Sequence, residues 1–363
     1  MKKVIVISAI NIFEGGPLTI LQDCLRILSK HYTIEYTIIA LVHDSALFNV
    51  RGIKFIEYKR SRSSWLLRLY YEYFYFYFLS LRLNPYLWFS LHDITPNVRA
   101  HLKVVYCHNA SPFYSFSLKT LFYDYKLGLF SLFYRYLYSI NIRKNTFVVV
   151  QQNWIRKAFH EMYGINNVVV AYPEVCEPDF VTSGKLETSD IIFIYPSFPR
   201  VFKNIELIAE AAKLLWESGV INFKVFLTFN GIENKYACYL LKKYGNIPVI
   251  SFIGIKPRRE IYALYTKVNS VIFPSMLETW GLPVTEAKKF NLPILLADLP
   301  YAHETVGDYD KVKFFNPSDF RELAEQMKAI INGNLAFDGS IAKAVESPFA
   351  RNWEELFITI LCK

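Results

Sequence analysis

Cysteine is scarce in this chain, and what there is lies scattered. Cys24, Cys107, Cys176, Cys238 and Cys362 are the only five in 363 residues. Their number is odd and no CxxC pair occurs, which argues against a disulfide framework or a zinc site and suits a reducing compartment. No Gly-x-Gly-x-x-Gly and no Gly-x4-Gly-Lys-Ser/Thr is present, so neither a dinucleotide fingerprint nor a P-loop has support. Strict repeats and low-complexity tracts are missing too. The chain starts Met1-Lys2-Lys3-Val4-Ile5-Val6-Ile7-Ser8. That apolar run is too short for a signal-peptide core, and Asn11, Glu14, Gly15 and Gly16 follow it, so it reads as a first core strand.

What is present is a hydrophobic, globular composition. Hydrophobic residues make up 53%, aromatics 17% and charged residues 20%, which excludes a disordered or collagen-like chain. The length suits two domains of about 150 residues each. The formal net charge is +9, and it is unevenly spread: residues 1–170 hold 20 lysines and arginines against 9 acidic residues, the remainder 21 against 23. The basic half is expected to face something anionic.

Short apolar, β-branched runs alternate with helical stretches. They cover 4–8, 37–42, 54–58, 87–91, 104–107, 146–150 and 168–172, then 191–195, 224–229, 249–253, 270–274, 293–297 and 313–315. Continuous apolar runs are the mark of parallel strands buried on both faces, and their alternation with helices implies βαβ units. Residues 176–189 are polar and lack periodicity, which makes them a linker. The expected fold is α/β: two Rossmann-like doubly wound lobes facing a central cleft, over residues 1–175 and 190–345. A C-terminal helix over 346–363, with Trp353, Leu356 and Phe357 on its apolar side, is expected to pack back toward the first lobe. In such sheets ligands bind beyond the carboxyl ends of the strands.

Two aromatic stretches stand apart. Residues 65–83 approach the length of a membrane span, but they carry Arg68, Glu72 and Arg82. At helical spacing these three fall on one stripe, with Arg68 and Glu72 an i,i+4 pair. The stretch reads as a buried or membrane-touching helix. Residues 112–144 interleave Phe113, Tyr114, Phe116, Phe122, Tyr123, Phe130, Phe133 and Tyr136 with Lys119, Lys126, Arg135, Arg143 and Lys144. Aromatic and basic side chains together suit a bilayer interface.

The strongest local signal is Pro274-Ser275-Met276-Leu277-Glu278-Thr279-Trp280-Gly281-Leu282-Pro283-Val284-Thr285-Glu286-Ala287. It follows an apolar strand and opens a helix, with Pro283 in the first turn where a missing N–H costs nothing. Gly281 permits close backbone approach to a ligand, and the free amides of a helix start favour a phosphate. Glu278 and Glu286 flank the turn as carboxylates able to accept from vicinal hydroxyls. Earlier, Arg200 and Lys203 precede another helix. The helix dipole disfavours cations at such a position, which points to an anionic partner. Gly15 and Gly16 separate the first strand from a helix. His108-Asn109 and His92-Asp93 end two apolar strands. Asp308-Tyr309-Asp310 spells a metal-binding DxD but sits in a late loop, where it reads as coincidental.

This set resembles the retaining glycosyltransferases of family 4, which have the GT-B fold. Glu278…Glu286 matches their Glu-x7-Glu box, including its Gly-Leu-Pro core. Arg200 and Lys203 correspond to the basic pair that holds the donor diphosphate, Gly15-Gly16 to the N-terminal glycine loop, and His108 to the strand-end histidine near the transferred sugar. Leu292-Pro293-Ile294 and Glu304-Thr305-Val306-Gly307 fit later landmarks. The resemblance spans nearly the whole chain and departs at three places. Asn204 stands where a glycine follows the lysine, Trp280 replaces a phenylalanine or tyrosine, and Lys288-Lys289-Phe290-Asn291 replaces a small, glycine-bearing stretch.

The resemblance implies transfer of a hexose-type sugar from a nucleotide sugar, such as a UDP- or GDP-sugar, with retention at the anomeric carbon. Glu278, Thr279, Trp280, Gly281, Leu282 and Glu286 would bind the donor together with Arg200, Lys203, Gly15 and Gly16. Catalysis would fall to His108, Glu278, Arg200 and Lys203, and His92 and Asn109 would face the acceptor. No cofactor and no metal is expected, because the two cations can do a metal ion's work. The implied acceptor is a saccharide, carried on a polyprenyl diphosphate, in surface polysaccharide biosynthesis such as lipopolysaccharide or capsule. The implied place is cytoplasmic and peripheral on the inner face of the cell membrane, against anionic lipid, without nucleic acid. Rival readings are a non-catalytic membrane- or saccharide-binding module on the same fold, a phosphorylase or a sugar-nucleotide epimerase.

Overall fold

A computed structural model of the chain describes residues 2–113, 118–174 and 190–362. The expected linker 176–189, Cys176, Tyr114 and Phe116 lie outside the described residues, as do the side chains of Lys126 and Phe130. The strands are β1 (Lys3–Ala9), β2 (Tyr36–Val42), β3 (Ile53–Glu57), β4 (Leu87–Ser90), β5 (Leu102–Cys107), β6 (Phe147–Val150), β7 (Val168–Ala171), β8 (Ile191–Tyr195), β9 (Phe223–Leu227), β10 (Ile250–Phe252), β11 (Ser270–Phe273), β12 (Ile294–Ala297), β13 (Val312–Phe315) and β14 (Phe349–Ala350). The first thirteen fall on the thirteen apolar runs. Most lie buried on both faces, as continuous apolar runs demand: in β6, Val148, Val149 and Val150 have no exposed surface.

The chain divides into two compact units. The first comprises Met1–Phe113, Leu132–Glu174 and Val345–Lys363, and the second the described residues of Tyr114–Ser131 and Val175–Ala344. The first unit holds an eight-stranded sheet in the order β14-β7-β6-β5-β4-β1-β2-β3, the second a six-stranded sheet in the order β10-β9-β8-β11-β12-β13. Every pairing between these strands is parallel. Both sheets are doubly wound. The strand order reverses between β1 and β4 in one and between β8 and β11 in the other, and a ligand crevice forms beyond the carboxyl ends of strands at such a reversal.

The C-terminal segment belongs to the first unit. β14 pairs with β7, Phe349 opposite Val170. The helix Trp353–Leu361 then buries Trp353, Leu356, Phe357 and Ile360. The Phe357 ring lies 5.4 Å from Tyr32 and 6.1 Å from Phe89. A strand therefore precedes a helix shorter than the one expected over this segment.

Residues 118–131, expected within an N-terminal domain of 1–175, group with the second unit. The physical reason is a set of contacts made there: Lys119 pairs with Glu206 and Arg200 with Asp124. The Tyr123 ring sits 5.0 Å from Tyr239 and 5.8 Å from Tyr236.

The stretch 65–83 is helical but not uniformly α. A π turn, Tyr71–Tyr75, interrupts it between Trp65–Tyr70 and Phe76–Leu83. A π turn adds a residue and shifts the phase of all that follows. The single polar stripe is broken as a result: Arg68 and Glu72 face the interior, while Arg82 is exposed. Leu66, Tyr70, Phe74 and Phe78 form an exposed apolar row instead. No helix among the described residues is long and apolar enough to cross a membrane.

Candidate functional site

In the second unit the signal residues gather where β8 and β11 end side by side. After β8 the chain runs through Arg200 into a 3-10 turn, Val201–Lys203, and then the helix Ile205–Glu217. Asn204, where the resembling family has glycine, takes φ 53°. Asparagine tolerates this left-handed conformation better than most residues with a Cβ, so the turn can be made without a glycine. Asn291, in the other departing stretch, does the same at φ 54°. The loop after β11 is tied to the loop after β8 through its backbone, Met276 N–H donating to Phe202 O at 2.8 Å.

That tie brings Glu278 onto Lys203: Nζ donates to Oε1, and both side chains are largely covered. Tyr195 closes the floor, its hydroxyl donating to Lys203 O at 3.2 Å. Burial, reinforced by Glu278, holds the Tyr195 phenol well above its ordinary range, so it stays a neutral donor. Arg200 instead engages Asp124 and stacks near Phe198.

Gly281 caps the helix Leu282–Lys289 with φ 89° and ψ 57°. A Cβ there would meet the Phe273 ring at 3.3 Å, so both conformation and space require glycine. No side chain caps this helix start, which leaves amides of its first turn as donors. The Trp280 indole donates to Thr285 Oγ1 at 2.9 Å, and Thr305 donates to Trp280 O, fixing the turn from both sides. Thr279 and Leu282 are half-buried beside it.

Glu286 lies on the inner side of the same helix, only 7% exposed. Its carboxylate accepts from Arg258 Nε at 3.1 Å, Tyr262 at 3.3 Å and, weakly, Tyr265 at 3.4 Å. Burial raises its pKa, and Arg258 with the two phenols offsets part of that. Glu278 and Glu286 thus share a turn but occupy different environments. Asp308 is spent on structure: its Oδ1 accepts from Ala342 N at 2.8 Å.

The first unit has its own strand-end cluster. Gly15, at φ 70°, and Gly16 open the helix Gly15–His31, which follows β1. Beyond β4 and β5, Asp93 is the hub. Its Oδ1 accepts from the backbone N–H of His108 at 2.8 Å and of Asn109 at 3.1 Å, and from the Tyr138 hydroxyl at 2.9 Å. Tyr134 reaches Oδ2 at 3.3 Å. His108 Nε2 stands 3.7 Å from Oδ2, and burial pushes the imidazole below its ordinary pKa, so it is held neutral at physiological pH. His92 points inward and is 1% exposed, with Glu72 beside it.

The structure therefore joins Lys203 with Glu278 and His108 with Asn109, and leaves Arg200 and Glu286 on partners that sequence reasoning missed. Asp124, Arg258 and Tyr262 carried no signal, because their roles depend on contacts between residues 24 to 76 positions apart. Asp93 was visible only as the neighbour of His92.

Residues 175–344 match the family described as "Glycosyl transferases group 1". The O-antigen chain mannosyltransferase RfbU of Salmonella typhimurium is 23% identical over 281 residues, which cover 75% of this chain and 72% of that protein. Among solved structures, the lipopolysaccharide outer core galactosyltransferase WaaB superposes with a TM-score of 0.64 at 11% identity, covering 93% of this chain and 92% of that one. Anabaena Alr3699/HepE in complex with UDP-glucose superposes with a TM-score of 0.57 at 14% identity, covering 91% and 89%. The two parallel-sheet units have the GT-B fold.

Proposed function

From a chain that carries a glycosyl transferases group 1 domain on a GT-B fold, we propose a family 4 glycosyltransferase that moves a hexose-type sugar from a nucleotide-sugar donor to a saccharide acceptor with retention. The observation that carries this reading is the Lys203–Glu278 pair at the β8/β11 strand reversal, beside the uncapped helix start at Gly281. The arrangement offers a cation and amides for a diphosphate and a carboxylate for sugar hydroxyls.

In the proposed reaction the bond from the anomeric carbon to the diphosphate oxygen breaks. The acceptor hydroxyl bonds to the same face, and its proton passes to the departing diphosphate. Arg200, Lys203 and the amides of Gly281 and Leu282 stabilise the charge that grows on that group, with no metal required. Glu278 holds sugar hydroxyls, Glu286 the ribose, and neutral His108 the transferred sugar.

The acceptor is proposed to be a lipid-linked saccharide of a surface polysaccharide. The support is that the Salmonella relative is an O-antigen chain mannosyltransferase. A peripheral position on an anionic inner membrane face is supported by the charge excess in residues 1–170 and by the exposed row on residues 65–83.

Thermal-shift and calorimetric titration with UDP-, GDP- and other nucleotide sugars tests the assignment. Stabilisation by at least one donor, lost in Lys203→Ala, is expected. Indifference to every nucleotide would replace the enzyme with a binding module on the same fold.

A further inference from the structure

The proposed reaction uses neither Arg68 nor Glu72, yet both are buried in the first unit, Glu72 completely. A buried carboxylate and guanidinium are costly to desolvate, and apolar side chains of similar size often replace such groups without loss of stability. Their geometry is specific. The π turn Tyr71–Tyr75 carries Glu72 inward, and the Glu72 carbonyl accepts from Asn97 N at 2.9 Å. Glu72 Oε1 then lies 2.6 Å from His92 Nε2, a close polar contact that falls short of hydrogen-bond alignment. One turn earlier, Arg68 donates to the carbonyl of the same His92 at 3.0 Å. A single helical face thus grips His92 by its ring and by its main chain.

The next residue is Asp93, at φ 71°. Aspartate enters this left-handed conformation more readily than most residues with a Cβ, but still at a cost that the surroundings must offset. Asp93 in turn fixes the main chain of His108 and Asn109. Neither Glu72 nor His92 has the exposure to touch a substrate.

We infer that Glu72, acting through His92 and with Arg68, is a positioning residue: the pair locks the left-handed Asp93 so that its carboxylate holds His108 at the carboxyl end of β5. This rests on the proposed role of His108. Without the Glu72 contact the 92–93 main chain relaxes, the Asp93 hub loosens, and His108 leaves its productive orientation. The donor-side residues Lys203 and Glu278 lie in the other unit and are untouched by this.

The test compares Glu72→Gln, which keeps the volume and the close polar contact to the His92 ring, with Glu72→Ala. The readouts are donor KM, kcat, thermal stability and the ring NMR signals of His108, assigned by their disappearance in His108→Gln. Glu72→Ala is expected to shift the His108 ring signals and to lower kcat by about 100-fold, the scale of a misplaced catalytic group. Donor KM should rise far less than kcat falls, because the Lys203 and Glu278 contacts are unchanged and only the His108 contact to the transferred sugar is loosened. Glu72→Gln is expected to recover most of both effects.

Unchanged His108 signals and unchanged kcat in both variants would overturn the inference. So would an equal rise in donor KM, which marks general loosening of the fold. If Glu72→Ala does not fold, Glu72→Gln set against Glu72→Leu makes the same comparison. If wild-type protein turns over no nucleotide sugar, the activity reading fails separately, and the His108 ring signals alone decide the positioning role.

Discussion

Lys203 and Glu278, 75 positions apart, form an ion pair where the loops after β8 and β11 meet. The pair is mostly shielded from water, so it is less screened than a surface salt bridge. In the proposed reaction, a diphosphate arriving at Lys203 would compete with a carboxylate already there, and sugar hydroxyls would take over the Glu278 oxygens it releases. Lys203→Ala is expected to lower kcat/KM by about 100- to 1000-fold, the usual loss for one charge-stabilising contact. It leaves a half-buried carboxylate unpaired, at a cost of about 1–3 kcal/mol. That is small against a typical stability of about 5–15 kcal/mol, so the variant should remain folded by circular dichroism. Near-normal turnover would remove Lys203 from the reaction.

Asp124 occupies Arg200 in the same unit. If Arg200 is to bind the donor diphosphate, it must first leave this carboxylate. Asp124→Asn removes the competitor, and a partly exposed ion pair of this kind is worth about 0.2–1 kcal/mol. Nucleoside diphosphate should therefore bind up to about fivefold more tightly by calorimetry at low salt. The advantage should disappear near about 1 M salt, where screening is complete within a few ångströms. Weaker binding in the variant would instead make Asp124 a support for Arg200.

Glu286 gives a pH signature. Burial raises its pKa in the folded protein above the ordinary 4.5. Between those two values the folded state holds more protons than the unfolded state, so stability falls as pH rises through that window and stays lower above it. Glu286→Gln removes the ionisation. Its melting temperature relative to wild type should therefore climb as pH rises from 4.5. Arg258 partly offsets the burial, so Arg258→Ala should steepen the wild-type loss. A flat difference between wild type and Glu286→Gln would show that Glu286 is ionised equally in both states.

The exposed row on the 65–83 helix predicts membrane behaviour. Leu66, Phe74 and Phe78 are each more than half exposed. Replacing all three by serine removes surface worth about 1.5–3 kcal/mol per fully buried side chain. Sedimentation with anionic vesicles should fall by well over about tenfold, with the melting temperature unchanged or raised. Lys119, by contrast, is engaged by Glu206, so its neutralisation should have less effect than neutralising Arg135. Equal binding by the triple variant would leave the row without a membrane role.

Much of the fold was legible because buried parallel strands must be continuously apolar. Runs such as 147–150 and 271–273 are short and, at 147–150, rich in β-branched valine, which favours a buried strand over a buried helix. Gly281 was legible for a similar reason: a close-packed helix start leaves few residue choices. The Glu278…Glu286 spacing was legible only through its resemblance to the family 4 box. β14 was not legible. Two residues, Phe349 and Ala350, carry no period, and their pairing depends on β7 being present at the sheet edge. The π turn was equally hidden, since its extra residue is stabilised by the N–H of Asn97, remote in sequence. The expected Arg68–Glu72 pair therefore gave way to a joint grip on His92.

By itself the sequence determined the class of fold, the strand endings where chemistry-bearing side chains would emerge, and the uneven charge. Those follow from local rules: burial periodicity, helix-start chemistry and composition. Only the tertiary structure decided which charge meets which. Lys203 found Glu278, Arg200 found Asp124, Glu286 found Arg258, and Asp93 gathered His108, Asn109 and Tyr138. An ion pair or hydrogen bond acts over a few ångströms of space, whatever the separation along the chain. The partners of a buried polar group are therefore fixed by the packing of strands and helices, and sequence spacing alone does not encode them.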